Sequence, residues 1–73
     1  MVARAGFVRD TLTSREVEVL ACAAEGLTAH ETGRRLRIAM ETVRRHRQHI
    51  HQALGVRNTA QAVAVGLRRG LIQ

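Results

Sequence analysis

The sequence contains no tryptophan, tyrosine, proline or lysine, and only one phenylalanine and one cysteine. Each absence narrows the possibilities. A single cysteine, Cys22, cannot form an internal disulfide. Without aromatic mass, the apolar content is Leu, Val, Ile and Ala, which suits a compact helical domain better than a β-sandwich, so an all-α fold is expected. No stretch is apolar and long enough for a signal peptide or a membrane span, and the expected compartment is the cytoplasm. The lack of lysine means that all 12 cations are arginine; we read this as the bias of a GC-rich genome and draw no function from it. With 73 residues the chain makes one domain with a small core.

The most informative absence is of acids after Glu41. Residues 1–41 hold six arginines and all six acids (Asp10, Glu16, Glu18, Glu25, Glu31 and Glu41) and are neutral, whereas residues 42–73 hold Arg44, Arg45, Arg47, Arg57, Arg68 and Arg69 and carry the whole net charge of +6. Such a one-sided charge suits a polyanion. An acidic membrane surface would need a free apolar face as well, so nucleic acid leads and no membrane role is expected.

Local signals divide the chain into a flexible lead-in, residues 1–11, and a domain, residues 12–73. Thr13-Ser14-Arg15-Glu16 matches a capping box and opens a first helix running to about Glu25, where Gly26 is placed to stop it. Thr28-Ala29-His30-Glu31 is a second box, opening a short helix to Leu36. The bend that follows has no Gly or Pro, so a third helix is placed over 42–54 from the new periodic run alone, with Gly55 as its stop. Asn58-Thr59-Ala60-Gln61 reads as a third box and opens a fourth helix over 59–69. Ala60, Val63, Ala64 and Leu67 form one apolar stripe of that helix, and Ala62, Val65 and Gly66 a second. One stripe belongs to the core; the second, with Arg69 beside it, is assigned to packing against another copy of the chain, the plain alternative being harmless surface alanine and glycine.

The segment TVRRHRQHIHQAL, residues 42–54, concentrates the side chains with chemistry. Zinc needs three or four convergent ligands, yet His49 and His51 point to nearly opposite sides of a helix. No acid accompanies the histidines, Ser14 is explained as a helix-start residue, and there is no glycine-rich phosphate loop, so neither a metal, a cofactor nor an enzyme is expected. His46 reads as a core-edge histidine bonding a backbone group, or as a phosphate donor. Two short helices around a tight bend, the second basic, describe a helix-turn-helix. Arg44, Arg45 and Gln48 share one face near the start of that second helix, where Arg can read guanine and Gln adenine in the major groove.

LTSREVEVLACAAEGLTAHE, then TVRRH, then LGVRNTAQAVAVGLRRGLI, together resemble the LuxR-type helix-turn-helix domain of bacterial transcription regulators, over residues 12–72. The resemblance implies a four-helix domain whose second and third helices form the DNA-reading unit and whose fourth mediates dimerisation. It places base reading on Arg44, Arg45 and Gln48, and backbone or supporting contacts on Thr28, Thr42, His46 and Arg47. The sequence departs from the family pattern at Thr32-Gly33, where Ile-Ala is usual, at Ala39, where a capping Ser is usual, and at Thr59, where an Arg is common. The first departure puts Gly inside a helix, at about 1 kcal/mol. The second removes a cap, again about 1 kcal/mol, partly offset by Glu41 at the positive end of the helix. The third transfers a phosphate contact to Arg57.

The function expected is therefore sequence-specific binding of double-stranded DNA by a homodimer, in the bacterial cytoplasm on the nucleoid, as the output domain of a regulator with a sensor or effector domain before residue 1. The alternative is a helical protein-interaction module, akin to the promoter-recognition domain of sigma factors, with an incidental basic face. RNA ranks lower, since no aromatic side chain is available to stack on unpaired bases.

Overall fold

The structure, a computed structural model, describes residues 12–73. The expected flexible lead-in, residues 1–11, lies outside the described residues. Four helices follow in order: α1 (Ser14–Ala24), α2 (Ala29–Leu36), α3 (Met40–Leu54) and α4 (Thr59–Arg68). No strand occurs among the described residues, so the fold is all-α as expected.

The helix starts follow the capping chemistry. The Thr13 hydroxyl accepts from the Glu16 amide at 3.1 Å while the Glu16 carboxylate accepts from the Thr13 amide at 3.0 Å. Thr28 and Glu31 repeat the arrangement at 3.0 and 2.9 Å. The third box is only half formed. Asn58 Oδ1 accepts from the Gln61 amide at 2.8 Å, but the Gln61 side chain reaches one residue further back and accepts from the Arg57 amide.

The bend between α2 and α3 is tighter than expected, and α3 begins at Met40 rather than at Thr42. Arg37 supplies the turn by adopting the left-handed conformation, φ 61°, the one non-glycine residue among those described with a positive φ. Ala39 then stands as the extended N-cap of α3 with no side-chain hydrogen bond, as the departure from the family pattern predicts. Gly33 has a different role from the one expected. A Cβ there would lie 2.7 Å from the Ile38 carbonyl oxygen, so the missing side chain lets the bend close over α2 and is more than a helix-propensity cost.

Leu12, Val19, Leu20, Val43, Ile50, Leu54, Ala62 and Ile72 form the core, joined by buried Cys22 and Thr32. The last residues fold back over α4, with the Leu71 amide on the Gly66 carbonyl at 2.8 Å, which seats Ile72 against the α1–α4 contact. This contact corrects the assignment of α4. Ala62 is fully buried and a Cβ on Gly66 would meet Leu20 at 2.8 Å, so the stripe assigned to a partner is the stripe facing the core. Val65 is half-buried, and of the residues assigned to dimerisation only Arg69 is exposed. Small residues mark the buried side because they let α4 approach α1 closely. Ala60, Ala64 and Leu67 face outward, Leu67 being 49% exposed.

Candidate nucleic-acid interface

The basic face is built on α3 by its opposite face. Val43, Ile50 and Leu54 are buried, and this turns Arg44, Arg45 and Gln48 outward as an exposed cluster one helical turn long. Thr42 is half-buried at its edge and Arg57 is exposed in the loop beyond Gly55. Glu41 reaches Arg44 at 3.6 Å, a loose and solvated pair. The acids of the first two helices are occupied locally, Glu18 by Arg15 at 3.2 Å and Glu25 by Arg35 at 2.9 Å. Among the described residues no ion pair engages Arg34, Arg37, Arg45, Arg57, Arg68 or Arg69, so unpaired positive charge stands on α3 and α4 and also on α2 and its C-cap.

Arg47 and Thr28 both hydrogen-bond to partners within the protein. Arg47 Nη2 donates to the Leu27 carbonyl at 3.1 Å, tying α3 to the turn between α1 and α2. Its Nε is buried with no hydrogen-bond partner among the described residues. The exposed Thr28 uses its hydroxyl to cap α2, while its amide donates to the Glu31 carboxylate at 2.9 Å; that backbone bond first, then the Thr28 side chain, hold the Glu31 carboxyl below the ordinary carboxylate range.

The histidines are arranged otherwise than the sequence indicates. An acid does accompany them: Glu16, brought from α1, places Oε2 2.8 Å from His49 Nδ1 and 3.3 Å from His46 Nδ1. His46 thus bonds a carboxylate and not a backbone group. The Glu16 side chain is only 7% exposed. Burial, the largest single influence, pushes its carboxyl up, but the Thr13 amide and the two histidines together outweigh burial and hold it below its ordinary value. His51 faces another way, with Nε2 3.2 Å from the Thr59 hydroxyl, and burial first, then the charge of Arg47, push its pKa down. The Thr59 departure therefore installs a link between α3 and α4. Among the described residues, no group of three or more His, Cys, Asp and Glu side chains is placed to hold a metal ion, and no helix is long and apolar enough to cross a membrane.

Of the side chains named from sequence, the fold gathers Arg44, Arg45 and Gln48 on one surface, leaves Arg57 and Thr28 on adjoining segments, and turns Arg47 and His46 to internal partners. It adds Glu16 and His49. The i, i+3 spacing of His46 and His49 was the available signal; the acid lay 30 residues upstream of His46.

This geometry, a basic amphipathic helix set by a tight bend against a short helix, defines a helix-turn-helix domain. Residues 10–65 match the family described as bacterial regulatory proteins, luxR family. The chain is 44% identical over 61 residues to the transcriptional activator protein SolR of Ralstonia solanacearum, covering 84% of this chain and 26% of that protein. It is 38% identical over 63 residues to the transcriptional regulatory protein LiaR of Bacillus subtilis, covering 86% and 30%. The solved structure of the transcription factor GerE superposes with a TM-score of 0.82 at 32% identity, covering 86% of this chain and 94% of that one. The chain belongs to the luxR family of bacterial regulatory proteins, and it spans about a quarter of the length of SolR.

Proposed function

We propose that this chain is the sequence-reading DNA-binding domain of a bacterial transcription regulator and that it acts by binding, without chemical catalysis. α3 lies in the major groove, with Arg44, Arg45 and Gln48 against base edges and Arg57 on a phosphate. The observation that carries this reading is the division of α3 itself. One face is locked in the core by Val43, Ile50 and Leu54, and the opposite face is exposed, basic and free of acid after Glu41. Thr28 and Thr42 flank that face and serve as backbone contacts. Two copies bind two half-sites, meeting through the outward stripe of α4 at Ala60, Ala64 and Leu67; the exposure of Leu67 supports this pairing in place of Ala62 and Gly66. The greater length of the relatives supports a sensor or effector domain in the whole regulator, which acts in the cytoplasm on the nucleoid.

Selection of bound sequences from a random duplex pool tests the reading. A two-fold symmetric consensus is expected. Arg44→Ala and Gln48→Ala then weaken binding to that consensus far more than to unrelated duplex; equal losses on every sequence would remove the base-reading role. A preference for a protein partner, with no salt-dependent duplex binding, would overturn the proposal in favour of an interaction module.

A further inference from the structure

The pairing of Glu16 with His49 has a consequence for DNA binding that base reading does not require. His49 is 51% exposed although its Nδ1 is fixed on a carboxylate that is almost wholly covered. The two ring nitrogens of imidazole diverge, so pinning Nδ1 inward on Glu16 leaves Nε2 directed away from the protein. His49 also stands one turn after Arg45 on α3, at the border between the exposed reading face and the flank that meets α1. A helix lying in the major groove passes the phosphates of a strand along such a border.

The hydrogen bond fixes the tautomer as well as the direction. With Glu16 ionised, the neutral ring keeps its proton on Nδ1 and presents a bare lone pair at Nε2, an acceptor with no hydrogen to donate to a phosphate oxygen. The imidazolium keeps the Glu16 bond and presents an N–H at Nε2, a charge-assisted donor for an anion. We propose, on the reading of this chain as a DNA-binding domain, that His49 is a proton-gated contact to the DNA phosphate backbone, oriented by Glu16. One proton is taken up on Nε2 when the contact forms and is released when it breaks.

Among the described residues, the charged and titratable groups around His49 are few. Glu16 faces it from α1, and on α3 its neighbours are His46, which shares the same carboxylate oxygen, and Arg45 one turn before it. The segment leading to α2 and the start of α4 engage α3 on its other flank, through Arg47 on Leu27 and His51 on Thr59. An arriving phosphate places an anion beside Nε2 while the Glu16 carboxylate holds Nδ1, and this couples proton uptake to binding.

The test is the affinity of the chain for a random-sequence duplex at fixed ionic strength between about pH 6 and pH 8, the range in which histidines change charge. Wild type is compared with His49→Asn, which retains an N–H for Glu16, and with His49→Gln, both checked for helical content. Wild type is expected to gain about fivefold more affinity than either variant as pH falls across this range, the scale of one charge-assisted contact. The dependence of log affinity on log salt should be steeper for wild type by about 0.9 at the acid end, and equal at the alkaline end, if one phosphate is engaged. Calorimetry in buffers of different ionisation enthalpy should show proton uptake on binding that the variants lack. Identical pH and salt slopes in wild type and variants would overturn the proton gate and leave DNA binding standing. No duplex binding by wild type at any pH would overturn the DNA-binding reading and the gate together.

Discussion

Arg47 of α3 donates to the carbonyl of Leu27, in the turn between α1 and α2, at 3.1 Å. Arg44, three residues earlier on the same helix, pairs among the described residues with the solvated Glu41 alone. Two arginines of one basic helix thus hold different positions, one bracing the helix-turn-helix from behind and one facing outward. Arg47→Ala is expected to lower the free energy of unfolding by about 2 kcal/mol, through the lost hydrogen bond to a charged donor and the lost packing of its stem. Arg44→Ala should stay within about 0.5 kcal/mol of wild type. Urea unfolding of the two variants measures the difference, and equal costs would contradict the bracing role.

Ala39 occupies the N-cap of α3 in the extended conformation a capping residue needs, yet offers no acceptor to the first turn. Ala39→Ser should stabilise the domain by about 1 kcal/mol. For a domain of this size that is a rise in Tm of roughly 4–8 °C in a thermal melt.

Thr32 and Gly33 are neighbours with opposite expectations. The Thr32 side chain is fully buried and its hydroxyl has no hydrogen-bond partner among the described residues. Thr32→Val, nearly equal in shape, should therefore stabilise by about 1 kcal/mol. Gly33→Ala should gain about 1 kcal/mol from helix propensity alone, but its Cβ would press on the Ile38 carbonyl. A net loss of about 1–3 kcal/mol is expected from overpacking against backbone. A Gly33→Ala protein more stable than wild type in denaturant would show that the bend yields easily.

His51, Glu16 and Glu31 set the response of stability to acid. His51 has a folded pKa below its ordinary value, so the folded state disfavours its protonation, and the stability it contributes is present above the ordinary histidine value and lost as pH falls from there through the lowered folded value. The Glu16 carboxyl is also held low, so its contribution is present above the ordinary carboxylate value and is lost at still lower pH, as the folded carboxyl is protonated. Melting temperature should therefore fall in two stages as pH is lowered from 7.5. His51→Gln should flatten the first stage and Glu16→Gln should diminish the second, which the lowered Glu31 carboxyl shares; a variant curve parallel to wild type through its stage would refute that assignment.

Much of the fold is legible along the chain because helix starts are local chemistry. Thr13 with Glu16 and Thr28 with Glu31 form the hydrogen bonds that their three-residue spacing implies. The bend at Arg37 is not legible in this way. A left-handed arginine has no composition signal, and only the close passage of Ile38 over Gly33 shows why the chain turns there. On the site, the periodicity of α3 separates Arg44, Arg45 and Gln48 from Val43, Ile50 and Leu54 correctly, since a helix cannot bury one stripe without exposing the opposite one.

By itself, the sequence determined where α1, α2 and α4 begin, which face of α3 is apolar, and that all charge after residue 41 is positive, because each depends on residues within a turn or two of one another. Only the tertiary structure decided which stripe of α4 is buried. Both stripes are apolar, and the choice rests on how closely α4 can approach Leu20, which favours the smaller side chains of Ala62 and Gly66. It also decided the partner of the histidines. Glu16 is read from sequence as a capping residue, and it is that; but its second oxygen reaches His46 and His49 only because α1 packs across α3, a contact between residues 30 and 33 apart that no local period encodes.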